Sequence, residues 1–122
     1  MFLMANKNAQ LNNKETRLIS QALKKVKLDK DNVDFIVFDK MLFSFIFVLA
    51  VSNKTVYLYS SDNKNGESFK VNDIDAISIQ KKVDLNLYLK NGRMINLTSV
   101  VGVKPKVMNQ VRELNSEINR LK

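Results

Sequence analysis

Asp84-Leu85-Asn86-Leu87-Tyr88-Leu89-Lys90-Asn91-Gly92-Arg93-Met94-Ile95-Asn96-Leu97-Thr98 alternates apolar and polar residues on both sides of a glycine-bearing turn. Alternation at a period of two makes each half a strand with one inward face. A two-residue Asn91-Gly92 turn would set Leu87 opposite Asn96 and bring that asparagine inside. A three-residue loop of Lys90, Asn91 and Gly92 sets Leu87 opposite Ile95 and Leu85 opposite Leu97, keeping the apolar faces together. The reading is therefore an antiparallel hairpin with Gly92 at positive φ in a bulged turn.

Working outward, residues 33–98 repeat this character: short runs of β-branched, aromatic and leucine residues, broken by polar turn clusters about every ten residues. Seven strands are expected, at 33–38, 43–51, 55–60, 66–71, 74–80, 83–89 and 93–98. The turns between them include Asp39-Lys40, Ser52-Asn53-Lys54 and Asn72-Asp73. On either side the period becomes helical. Leu18, Ile19, Ala22, Leu23 and Val26 share one face of a helix expected over 13–28, with Asn12 and Glu15 as a capping pair. Val107, Val111, Leu114, Ile118 and Leu121 form the stripe of a second helix over 104–121, and Pro105 suits its first turn. Residues 1–12 lack periodicity and read as a loose arm, leaving one domain over 13–122. The class is α+β, mainly β: a seven-stranded antiparallel sandwich or partly open barrel, capped by the C-terminal helix and carrying an extra N-terminal helix.

The composition bounds the chemistry. The 122 residues carry 20 Lys+Arg against 12 Asp+Glu, a net charge of +8, with 45% hydrophobic residues. A chain of this size buries roughly two thirds of its unfolded surface, enough for one self-sufficient core. It has no Cys and no His, so thiol nucleophiles, disulfides, the usual proton shuttle and the common zinc ligand sets are excluded. The stretch Asp29 to Lys40 departs from a calcium loop, with Asp34 where glycine is needed and Lys40 where glutamate should stand. Gly66, Gly92 and Gly102 are isolated, so no phosphate-cradling loop exists. Asp73 and Asp75 read as turn and edge residues. No catalytic residue, metal site or cofactor is expected, and the chain reads as non-enzymatic. The apolar opening Met1 to Ala5 stops at Asn6-Lys7, too short for a signal peptide, and Met41 to Val51 is shorter than the about 20 residues a membrane helix takes. The expected location is the cytoplasm.

Two features call for partners. The strand at 43–51 is apolar on both faces apart from Ser44. Its outer face must be covered by the N-terminal helix or by another copy of the protein, with Phe43, Phe45 and Phe47 as the self-association surface in the second case. The basic residues Lys24, Lys25, Lys27, Lys81, Lys82, Lys104 and Lys106 form an anion-attracting patch if the fold brings them together.

The order of seven antiparallel strands and a C-terminal amphipathic helix resembles the pleckstrin-homology (PH) superfold. Leu49-Ala50-Val51-Ser52-Asn53-Lys54-Thr55-Val56-Tyr57-Leu58-Tyr59 resembles the strand-turn-strand signature of bacterial PH-like domains. Phe69-Lys70-Val71-Asn72-Asp73-Ile74-Asp75-Ala76-Ile77-Ser78-Ile79 is similar to the next element of that family. The resemblance covers 45–122. It implies an interaction module of a bacterial or phage-encoded protein that takes a peptide beside strand five and the C-terminal helix. In this chain that groove falls on Ile77, Ile79 and Gln80 with the helix positions Gln110, Glu113 and Glu117. The family's self-assembly implies a homo-oligomer. Phosphoinositide-binding members place several basic residues on the first two strands, where 33–51 holds only Lys40. The expected function is binding of a protein partner or of the chain's own copies. The alternative is peripheral attachment to anionic lipid through the lysines, and the third is nonspecific nucleic-acid binding.

Overall fold

The computed structural model describes residues 13–41, 44–60, 65–80, 84–97 and 105–122. The loose arm expected over 1–12 lies outside them. Helix α1 (Asn13–Lys25) is followed by strands β1 (Phe35–Met41), β2 (Ser44–Ser52), β3 (Thr55–Ser60), β4 (Glu67–Lys70), β5 (Ile74–Gln80), β6 (Asp84–Leu89) and β7 (Met94–Asn96), then by helix α2 (Pro105–Leu121). The strands form two antiparallel sheets, β1-β2-β3-β4 and β5-β6-β7, which do not close on each other among the described residues.

The β6–β7 hairpin has the register that the alternation requires. Leu87 faces Ile95, the Leu97 N–H donates to the Leu85 carbonyl at 2.8 Å, and Gly92 has φ +92°. The β2–β3 connection is a two-residue turn in which Asn53 and Lys54 both have positive φ, 49° and 59°, as a hairpin of this hand demands.

Several boundaries shift by one to three residues from the sequence reading, and two of the shifts have a visible cause. Asp39-Lys40 is not a turn, because β1 continues to Met41 through a bulge at these residues, and Asp39 lies buried opposite Phe47. The long β2 supplies ladder partners that local composition cannot reveal. Helix α1 stops at Lys25 rather than at 28. The Leu28 N–H donates to the Leu23 carbonyl at 2.9 Å and the Lys27 N–H to the Lys24 carbonyl at 3.1 Å, with Lys27 at φ 59°. This paired return closes a helix end.

The middle of the first sheet, in β1 and β2, is buried on both faces. Val37, Phe47, Leu49, Val51, Val56 and Leu58 face the core shared with the second sheet and with Val107, Val111, Leu114 and Ile118 of α2. Ile36, Val48 and Ala50 face the other way, beneath Ile19, Ala22 and Leu23 of α1. The chain's own helix thus covers the outer face of β2 at Val48 and Ala50. Phe47 points into the core and is 0% exposed, which removes it as a self-association surface. Phe43 lies outside the described residues, as does the side chain of Phe45.

Val26, just past α1, packs against the β3–β4 connection. A Cβ at Gly66 would lie 2.3 Å from Val26 Cγ1, and Gly66 has φ +78°. Both the contact and the backbone therefore require glycine. Gly66→Ala is expected to cost about 1–3 kcal/mol, lowering the thermal midpoint by several degrees. An unchanged melting curve would show that α1 is not anchored at this loop.

Candidate functional site

Strand β5 is an edge of the second sheet: it pairs with β6, and no described strand lies on its other side. Residues two apart in a strand share a face, so Ile77 and Ile79 both point toward α2. The helix presents its inner stripe to the core and leaves one flank beside β5. Between flank and strand runs an open cleft of about 340 Å³, lined by Ile77, Ile79, Met108, Arg112 and Asn115.

Among the described residues, the polar groups of the cleft are few. The Ile77 N–H, turned away from β6, donates to Asn115 Oδ1 at 3.3 Å. One step toward the strand's beginning, Lys122 Nζ donates to the Asp75 carbonyl at 3.5 Å. A side chain of α2 and that of the residue following it thus occupy backbone groups that an added strand would use. Ladder groups of one direction recur every second residue, so Ile79 presents its backbone the same way. Arg112 Nη1 donates to Asn109 Oδ1 at 3.2 Å, and the residue is exposed.

Of the residues expected to line this groove, Ile77 and Ile79 do. Gln80 points to the opposite face of the sheet, where its Nε2 donates to the Tyr88 hydroxyl at 2.8 Å. Gln110 is not an outer position: it is 3% exposed. Glu113 is exposed but does not line the cleft, and Glu117 is engaged with Arg120, whose Nε donates to Glu117 Oε2 at 3.1 Å. That hydrogen bonding holds the Glu117 carboxyl below its ordinary range, against the opposing effect of partial burial.

The reason is geometrical. Helical spacing identifies the inner stripe through Val107, Val111, Leu114 and Ile118, and both flanks of that stripe are equivalent in sequence. Gln110 and Glu117 lie on one flank; Met108, Arg112 and Asn115 lie on the other. Only the direction in which α2 crosses the sheets selects between them. Met108, Arg112 and Asn115 were therefore not identifiable from periodicity, and no other sequence signal marks them.

The described lysines fall into separate places. Lys24, Lys25 and Lys27 are exposed together at the end of α1, where Lys25 and Lys27 border a depression of about 160 Å³ beside Tyr57 and Ser68. Lys106 is exposed on the first turn of α2, an element that packs on the opposite face of the first sheet from α1. Lys81, Lys82 and Lys104 lie outside the described residues. Among the described residues no group of three or more His, Cys, Asp or Glu could hold a metal ion, and no helix is long and apolar enough to cross a membrane.

Comparison with known proteins yields no match to a family model, to a curated protein or to a solved structure.

Proposed function

We propose that the chain is a non-enzymatic, PH-like binding module that takes an extended segment of a partner protein along β5, in the cleft against α2. The observation carrying this reading is the combination at one place of a strand with no described strand on its outer side and an apolar floor beside it. The arrangement of four strands, three strands and a C-terminal helix supports the PH-like assignment. In strand addition, main-chain hydrogen bonds supply affinity while pockets for alternate side chains supply selectivity. An incoming carbonyl takes the Ile77 N–H from Asn115, and an apolar side chain settles over Ile79 and Met108.

The test is selection from a displayed library of random heptapeptides on the immobilised full chain, followed by titration of selected peptides against Ile79→Lys. A charge on the cleft floor is expected to weaken binding at least about tenfold, the effect of a 1.4 kcal/mol loss, while the far-UV circular dichroism stays unchanged. Undiminished binding excludes the cleft. Light scattering of the unliganded chain, at low and high salt, reports whether a second copy is the occupant instead.

A further inference from the structure

Resting on that reading of the cleft, we infer that the segment it takes carries a carboxylate side chain, Asp or Glu, placed against Arg112. Ile77, Ile79 and Met108 give the cleft an apolar floor, and Asn115 is already engaged with the strand. Among the described lining residues, Arg112 is the one ionised group.

Its situation differs from that of two other arginines of the chain. The Arg93 guanidinium forms a fork with Glu67, and Arg120 does so with Glu117. Arg112 has a single donor directed at a neutral amide oxygen, and it makes no ion pair among the described residues. A guanidinium offers five donors in a planar array that matches a carboxylate with two parallel hydrogen bonds. Arg112 therefore retains its bidentate capacity at the rim of an apolar cleft. Lys122, with its ammonium on the Asp75 carbonyl, adds a second cation along the same strand edge. Asp75 is exposed and is not among the described residues that line the cleft. The net charge of +8 further favours an acidic segment over a basic one in the encounter.

The experiment uses the full chain and peptides selected from the random heptapeptide library, each remade with its Asp or Glu changed to Asn or Gln. Selected sequences are expected to be enriched in acidic residues at one position. The amide versions should bind the wild type about fivefold more weakly, the size of a well-oriented exposed pair. With Arg112→Gln the acid and amide versions should bind alike, and Arg112→Lys should restore part of the difference. Acid and amide versions that bind the wild type equally, while Ile79→Lys still abolishes binding, overturn the carboxylate inference and leave the cleft reading intact. Peptides indifferent to Ile79→Lys, or a selection that yields none, overturn both.

Discussion

Phe47→Ala should lower the unfolding free energy by about 3–5 kcal/mol, the usual cost of emptying a fully buried aromatic site. Phe47 sits in the middle of β2, opposite Asp39 on one side and Ser60 on the other, with its ring in the core that joins both sheets to α2. Domains are stable by about 5–15 kcal/mol in total, so this one ring accounts for a large share. The cavity cannot collapse easily, because the core around it joins two sheets and a helix, each held by its own backbone hydrogen bonds. Urea unfolding followed by circular dichroism should show a lower midpoint with little change in slope. A loss below about 1 kcal/mol, accompanied by a fall in solution mass, would instead put Phe47 on an interface between copies.

Leu23→Asp should act on the other face of the same sheet. Leu23 is 1% exposed and packs with Ile19 and Ala22 over Val48, Ala50 and Ile36. A carboxylate there loses the apolar contact and must leave the interface to be solvated, at a cost above about 3 kcal/mol. A helix of 13 residues is marginal without a surface to pack on, so α1 should come away as a unit. The uncovered face of β1 and β2 then offers an apolar patch to water. The expected result is a rise in solution mass above 14.0 kDa and binding of a hydrophobic dye, with the β-sheet signal largely kept. A monomer of wild-type stability would show that α1 is not what covers this face.

The two substitutions also mark what could be read from sequence. Hairpin β6–β7 was legible because its constraints are local: alternation, one glycine, and a single register that keeps Asn96 out. The double-sided apolar strand was legible as a demand for cover, and α1, with a matching stripe at Ile19, Ala22 and Leu23, was one of two candidates for it. Asp39 was misread because its place in β1 is decided by pairing with β2 rather than by its own propensity. The helix residues of the cleft were misassigned for a related reason. Gln110 and Met108 are neighbours of the same stripe, and nothing within α2 records on which side β5 will lie. Whether the lysines converge was equally illegible, since it depends on which face of the first sheet each helix occupies.

The Asn115 amide on the Ile77 N–H has a kinetic consequence for any chain that adds to β5. Such a chain exchanges one carbonyl acceptor for another, so the net gain at that point is small and the side chain stands ready to retake the bond. Complexes formed along this edge should turn over quickly, with lifetimes governed by what fills the space beside Ile79 and Met108. The edge is then a poor template for irreversible growth, and suited to encounters that are made and broken many times.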